Sequence, residues 1–193
     1  STNEYNCGAC DYDCNDLANV GNVWCDTSAC VIGSCDSGHS NCDTSVSNGC
    51  ETNHTTISPT CDGAVSMGTV CGDKNSDTTA YKYGDNEAWY KVKVDECSDW
   101  TNWLSATVIV DNMPAGIDYD LYVYVRQDNS TIPCSSAATY LRHSSTSGTG
   151  MGERSRICWD DRWFGTGDDQ WLYIQIKFYY GGACADWRMR VLG

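Results

Sequence analysis

The chain is rich in cysteine, whose thiol can form disulfides, bind metals or act as a nucleophile. Of its 193 residues, 14 are cysteines: Cys7, Cys10, Cys14, Cys25, Cys30, Cys35, Cys42, Cys50, Cys61, Cys71, Cys97, Cys134, Cys158 and Cys184. We expect them to form disulfides, because a reducing cytosol would leave so many thiols open to oxidation and metal capture. Zinc is the alternative at Cys7-Gly-Ala-Cys10, although a zinc ribbon pairs two such knuckles and the chain has one.

The acidic side chains are the second group with chemical potential. The chain has 26 Asp and Glu against 12 Lys and Arg, a formal net charge of -14. That balance disfavours nucleic acid and anionic membranes as partners, because both bind basic surfaces. Acids cluster at residues 11–16, and again at Asp43 and Glu51, where we consider calcium ligands. Neither cluster has EF-hand spacing, and the alternative is that these side chains hold turns.

Catalytic signatures are absent from the sequence. Its three histidines do not lie beside a Ser or Cys nucleophile motif, and it contains neither G-x-S-x-G nor H-E-x-x-H. Asp160 and Asp161 are adjacent, so on a strand they would point to opposite faces and could not share acid–base work. We therefore predict no catalytic residues and a protein that is not an enzyme.

The elements that position these side chains differ between two halves. Residues 1–80 hold ten cysteines, eleven acids, one base and three aromatics, whereas residues 81–193 hold four cysteines and nineteen aromatics. The first half lacks the apolar residues for an ordinary core, so cross-links must replace burial. We predict a disulfide-rich module over 1–60, a linker or the start of the second domain over 61–80, and a β-domain over 81–193. We expect disulfide partners to lie within the same half.

Alternation of apolar and polar residues with period two predicts strands in the second half. The expected inward-facing residues are Tyr90, Val92 and Val94; Leu104, Ala106, Val108 and Val110; Tyr119, Leu121, Val123 and Val125; Leu172, Ile174, Ile176 and Phe178; and Trp187, Met189 and Val191. No ten-residue stretch has helical spacing. The fold class predicted is therefore mostly β: a small disulfide-rich N-terminal module followed by an antiparallel, jelly-roll-like β-sandwich.

The same alternation places aromatic side chains on the opposite faces of two strands. These are Trp171, Tyr173 and Tyr179 on one strand and Tyr122 and Tyr124 on another. Aromatic side chains displayed together favour stacking on sugar faces or on a neighbouring protein, so we predict a partner-binding role for them. The alternative is that the N-terminal module or a second sheet covers these faces.

Residues 7–51 carry a specific cysteine pattern. The order is Cys7-Gly-Ala-Cys10 with Cys14, then Cys25, Cys30 and Cys35, and finally Cys42-Asp43 with Asn48-Gly49-Cys50-Glu51. This pattern resembles the small cysteine-rich modules in secreted proteins of myxobacteria and related bacteria. The resemblance implies an extracellular spacer or surface module without catalysis.

Residues 80–193 carry a second pattern. Asn86-Glu-Ala-Trp-Tyr is followed by Pro114-Ala-Gly-Ile-Asp-Tyr-Asp-Leu-Tyr-Val-Tyr124, by Trp171-Leu-Tyr-Ile-Gln-Ile and by Trp187-Arg-Met-Arg-Val191. This order is similar to the bacterial pre-peptidase C-terminal domain family. The resemblance implies a β-sandwich of secreted proteins, linked to matrix or polysaccharide binding and sometimes to calcium, for which Asp118 and Asp120 are the candidate ligands here. This chain departs from the family pattern in its four added cysteines, and no peptidase precedes the domain in it.

Two functions follow from these features. The first is a structural subunit outside the cell that assembles with copies of itself into a fibre or surface layer, and the second is a carbohydrate- or matrix-binding adhesin acting as a monomer. We predict a secreted or cell-surface protein without membrane insertion, with other copies of itself, or polysaccharide, as partner. The start at Ser1, without Met or an apolar leader, is the one expected of a processed secreted product.

Asn53 and Asn129 each begin an N-glycosylation sequon, and Thr55 and Thr56 are candidate O-linked positions. If the protein is glycosylated, these residues must be exposed. The alternative is an unmodified polar loop.

Overall fold

The structure, a computed structural model, describes residues 3–9, 12–57, 59–73, 79–97, 103–125, 140–160 and 169–193. The N-terminal part contains short 3-10 helices at Glu4–Asn6, Cys14–Asp16 and Val46–Asn48. It also contains two small antiparallel sheets, β1 (Val20–Asp26) with β2 (Ala29–Cys35) and β3 (His39–Ser40) with β4 (Thr52–Asn53). Thr27 and Ser28 join β1 to β2 with φ values of 44° and 69°, because a two-residue hairpin loop needs positive φ to match the strand twist.

Two larger sheets follow. Their strands are β5 (Val65–Cys71), β6 (Thr79–Gly84), β7 (Ala88–Asp95), β8 (Trp103–Asp111), β9 (Ile117–Val125), β10 (Tyr140–Ser144), β11 (Glu153–Asp160), β12 (Gln170–Gly181) and β13 (Trp187–Leu192). Five strands form one sheet in the order β10-β9-β12-β7-β5, and four form the other in the order β11-β8-β13-β6. The named strands pair antiparallel except that β5 lies parallel to β7. The predicted mostly β, antiparallel fold is confirmed.

The core between these sheets consists of the side chains that the alternation predicts. All of the expected inward-facing residues are buried except Val125 and Phe178, which pack half-buried at the edge of the core. Leu172, Ile174 and Trp187 are fully buried, and each large apolar side chain removed from water contributes about 1.5–3 kcal/mol to the stability of the fold.

The N-terminal module has a core made largely of half-cystines. The Cys7–Cys25 and Cys14–Cys30 bridges form a buried cluster, with partly buried Leu17, Val23 and Val46 around it. Cys35–Cys50 closes the module further on. Cross-links therefore replace burial in this half, as its composition requires.

The prediction that disulfides stay within each half is wrong. Cys42 is bonded to Cys184 across 142 residues, and Cys71 is bonded to Cys97. The first bridge forms because the β3–β4 segment lies against the end of β12, where the backbone N–H of Gly38 donates to the carbonyl of Gly181 at 2.9 Å.

The prediction that all fourteen cysteines are bridged is wrong at Cys158. This residue carries a free, exposed thiol, and the residue opposite it on β8 is Ser105. Cys61 is disulfide-bonded, while Cys10 and Cys134 lie outside the described residues. The bridges indicate an oxidising, extracellular setting. In the part of the chain that the structure describes, no helix has the length and apolarity needed to cross a membrane.

His54 connects the two parts of the molecule. It is completely buried, with Nδ1 2.5 Å from the carbonyl oxygen of Asp85 and Nε2 2.9 Å from the hydroxyl of Ser40. The N–H of Ala183 donates to Nε2 at 3.4 Å. These contacts assign the ring proton to Nδ1, so one imidazole ties β3, the β6–β7 turn and the segment after β12 together.

Candidate functional site

The aromatic side chains predicted to bind a partner lie opposite the core, but most of them are covered. Tyr173 is only 5% exposed because Cys61 and Ala64 pack on it, and Trp171 and Tyr124 pack half-buried against the same cluster. The prediction of an open aromatic face is therefore wrong for Tyr173. The residues that cover it lie in the stretch predicted as a linker or the start of the second domain, 61–80, and not in the N-terminal module or a second sheet. The cover is the segment between β4 and β5.

Other aromatic contacts hold this face together. Trp89 stacks on Tyr124 with 5.2 Å between ring centroids, and Tyr122 stacks on His143 at 4.6 Å. Lys177 lies over the ring of Tyr122 at 5.8 Å. These rings contribute to the packing of the five-stranded sheet and do not form a bare platform.

Tyr179 remains available, with 69% of its surface exposed, and its neighbour Tyr180 is 59% exposed. Tyr180 lines a cleft of about 680 Å³ between the module and the sandwich. Ile32, Asp36 and His39 of the module also line this cleft. Of the five aromatic residues predicted to bind a partner, the exposed one therefore lies near the end of β12.

Three carboxylates converge where the two sheets meet. Asp118 and Asp120 lie on β9 of the five-stranded sheet, and Glu153 begins β11 of the four-stranded sheet. One oxygen from each of the three carboxylates lies within 4.8 Å of the others. The sequence indicated Asp118 and Asp120 but not Glu153, because β9 and β11 come together only in the folded sandwich.

In this acidic cluster Asp118 and Glu153 are buried and Asp120 is half-buried, and their charge is only partly compensated. Asp118 is 5% exposed, and its Oδ1 is buried without a hydrogen-bond partner among the described residues. Burial raises the pKa of Asp120, and the neighbouring charges of Asp118 and Glu153 raise it further, while His143, 4.0 Å away, lowers it. Oxygen donors of this kind suit a hard divalent cation such as calcium.

Glu153 is also held by the segment between β10 and β11. Its Oε1 accepts from the backbone N–H of Thr146 at 2.7 Å, and its Oε2 accepts from the hydroxyl of Ser144. The backbone N–H of Gly148 donates to Oδ2 of Asp118 at 3.4 Å. The segment after β10 is thereby fixed against the acidic cluster.

Asp43 and Glu51 have local backbone partners. Oδ1 of Asp43 accepts from the N–H of Ser45 at 2.7 Å, and Oε1 of Glu51 accepts from the N–H groups of Cys42 and Asp43 at 2.8 and 3.1 Å. Side-chain to backbone hydrogen bonds of this kind stabilise turns. The structure therefore gives these two carboxylates the turn-holding role that was the alternative to calcium.

A positively charged surface lies on the outside of the four-stranded sheet. We call it the arginine face, and it comprises Tyr81, Tyr83, Ile109, Asp111, Arg154, Arg156, Arg188 and Arg190. Strand register places Arg154 and Arg190 on either side of Ile109, with Tyr81 beside Arg190. The sequences of β11 and β13 each have arginines at alternate positions, which is the sequence feature that could have indicated this surface. Only the pairing of both strands with β8 brings these arginines together.

One carboxylate offsets part of this charge. Asp111 Oδ1 lies 2.6 Å from Nε of Arg188, and its Oδ2 lies 3.0 Å from Nε of Arg190. The Arg188 hydrogen bond holds the pKa of Asp111 below its usual value. Arg154 and Arg156 are exposed, so the described part of this face keeps an excess of positive charge in a protein of net charge -14.

The N-terminal module has the opposite charge. Residues 1–51 contain eight acidic residues and no Lys or Arg. Asp16, Asp26 and Asp36 are exposed on it. Trp24, 44% exposed, adds an apolar contact to the same module.

Of the candidate glycosylation residues, Asn53, Thr55 and Thr56 are exposed. Oδ1 of Asn53 accepts from the N–H and the hydroxyl of Thr55 at 2.9 and 2.7 Å. Asn129 lies outside the described residues. The accessibility that modification requires is present at the three described positions.

No family model matches the chain, and no curated protein matches it. A solved structure that does match is the pre-peptidase C-terminal domain of a collagenase from Bacillus anthracis. The two share 12% identity over 67% of this chain and 92% of that chain, with a TM-score of 0.31. That low likeness carries nothing about function, and the resemblance of residues 7–51 to myxobacterial modules gains no support from these comparisons.

Proposed function

We propose that this protein is a non-catalytic structural subunit outside the cell, which assembles with copies of itself into a fibre or surface layer. In this assembly the acidic N-terminal module of one copy binds the arginine face of the next. The observation that carries the proposal is the separation of charge within one chain, with an acidic module free of Lys and Arg and four arginines on one sheet surface.

Electrostatic complementarity supports this arrangement. Opposite charges on two surfaces favour their encounter and fix their relative orientation. The arginine face also has apolar area, since Tyr81 and Tyr83 are 50% and 59% exposed. Large aromatic side chains and arginines are the residue types enriched in protein interfaces.

The geometry of such a contact favours an open polymer. The two surfaces belong to different parts of the chain, so the contact is heterologous and each bound copy leaves one surface of each kind unused. The disulfides suit a subunit that works outside the cell, because disulfides persist in an oxidising environment. They cross-link the acidic module, which has no large apolar core.

The experiment measures how assembly depends on salt concentration and on the charge of the arginine face. Purified protein is followed by light scattering and negative-stain imaging at low and high ionic strength, and compared with the R154E/R156E variant. We expect polymers at low salt, fewer at high salt because screening weakens exposed charge pairs, and monomers for the variant. The R142E/K177E variant is the matched control, since it makes the same charge change on the five-stranded sheet and should still assemble. A wild type that stays monomeric at every salt concentration contradicts the proposal.

The cleft beside Tyr180 favours a second candidate, a polysaccharide-binding adhesin that acts as a monomer. An exposed tyrosine next to polar groups suits stacking on a sugar ring. Retention on insoluble polysaccharide should then fall for Tyr180→Ala and stay unchanged for Tyr179→Ala, because Tyr180 lines the cleft. Equal retention of both variants contradicts this alternative.

A further inference from the structure

The acidic cluster is formed by side chains from two strands that belong to different sheets of the sandwich. β9 belongs to the five-stranded sheet and β11 to the four-stranded sheet. Asp118 and Asp120 lie near the beginning of β9, and Glu153 is the first residue of β11. A group bound by all three carboxylates would therefore connect the two sheets at this end.

The described groups around the cluster compensate its charge only in part. A side-chain hydrogen bond with Tyr122 and the nearby His143 stabilise the Asp120 carboxylate, and Ser144 and Thr146 donate to Glu153. His143 Nε2 is 4.0 Å from Oδ2 of Asp120, which is beyond hydrogen-bond range. Lys177 lies opposite Asp120 in the register of β12 and β9, but its ammonium group lies over the ring of Tyr122. Three carboxylates held within 4.8 Å of one another repel one another unless protons or a cation intervene.

The buried oxygen of Asp118 adds an independent indication. With 5% of the residue exposed, Oδ1 is shielded from solvent and has no hydrogen-bond partner in the described ranges. A buried carboxylate oxygen without a partner costs free energy. A cation bound at the cluster would supply the missing partner.

We propose that Asp118, Asp120 and Glu153 bind one Ca²⁺ ion that cross-links the two sheets of the sandwich. Calcium is the cation that fits because all the donors are carboxylate oxygens, with water able to complete its six to eight ligands. Zinc prefers nitrogen and sulfur donors, and magnesium requires a stricter octahedral geometry. The site is distinct from the arginine face and does not depend on the proposed assembly.

The test titrates CaCl2 into the full chain after dialysis against EGTA, with calorimetry and thermal unfolding as readouts. We expect one Ca²⁺ per chain, a Kd of about 10⁻⁴–10⁻³ M as in extracellular modules, and a higher Tm at saturating CaCl2. Hydrogen exchange at the beginnings of β9 and β11 should slow when calcium is added, because the ion joins these strands.

The variants D118N and E153Q should each weaken calcium binding by about tenfold or more, because ligand charge sets the affinity. D120N provides a third variant if either of these fails to fold. The matched control is D43N, whose carboxylate holds a turn, and its calcium affinity should equal that of the wild type. Absence of binding heat and of any Tm change, undiminished binding in D118N and E153Q, or an equal response to MgCl2 would each overturn the assignment.

Discussion

The Cys42–Cys184 bridge joins the N-terminal module covalently to the sandwich. In the chain-entropy description, a disulfide stabilises the fold by closing a loop in the unfolded chain, and the gain grows with the logarithm of loop length. A separation of 142 residues corresponds to about 5 kcal/mol. The Cys71–Cys97 bridge shortens this loop by 26 residues, which lowers the figure by only about 0.2 kcal/mol.

The bridge is well placed for a clean measurement. Cys42 and Cys184 are both exposed, so the C42S/C184S variant loses no buried sulfur and the measured loss reflects the closed loop. We expect the free energy of unfolding, from guanidinium denaturation followed by tryptophan fluorescence, to fall by up to about 5 kcal/mol. Seven of the eight tryptophans lie in residues 81–193, so fluorescence mainly reports the sandwich.

Mild reduction of the wild type provides an independent route to the same state. Thiol exchange depends on access to the sulfur, and Cys14 and Cys50 are completely buried. After the free thiol of Cys158 has been blocked, alkylation following brief reduction should therefore label Cys42 and Cys184 before Cys14 and Cys50. The product should match the stability of C42S/C184S. A loss below about 1 kcal/mol, or early labelling of Cys14 or Cys50, would refute the loop-closure reasoning.

Two further predictions concern the outer faces of the sheets. Tyr173→Ala should lower the free energy of unfolding by about 3 kcal/mol, because it empties the space under Cys61 and Ala64. The control variant Tyr179→Ala should change it by less than about 0.5 kcal/mol. Similar losses of stability for the two variants in denaturant melts would contradict the burial of Tyr173. The Asp111→Asn variant should be less stable than the wild type at pH 7, since the folded-state pKa of Asp111 is lowered by Arg188. That stabilisation exists above the unfolded pKa of about 3.9 and is lost as the pH falls towards the folded-state pKa. Urea denaturation should therefore show a smaller difference in unfolding free energy between the wild type and Asp111→Asn at pH 3 than at pH 7. A difference that persists at pH 3 would show that the carboxylate charge is not its cause.

Local sequence predicted the strands and their buried faces well. Val92, Leu121 and Ile174 are fully buried, as period-two alternation requires, because the side-chain direction along a strand depends only on the spacing of residues. Strands without a clean alternation escaped prediction, including β5, whose residues are partly exposed at the sheet edge.

Local sequence predicted only part of the candidate site. Asp118 and Asp120 are close in sequence and share a strand, so spacing was enough to pair them. Glu153 lies on another sheet, and its position beside them depends on strand order and register. The same limit applies to Tyr173, because alternation indicates the face of a strand but not the segment that packs over it.

The sequence by itself determined a mostly β fold, because period-two alternation specifies the buried face of each strand. It also determined a cross-linked, acidic module, because the first half has too few apolar residues for an ordinary core. Tertiary structure alone decided that Cys42 meets Cys184, that Glu153 joins Asp118, and that arginines from β11 and β13 share one surface. These contacts join residues far apart in the chain, and they follow from how strands pair across the whole fold, a property that local spacing does not encode.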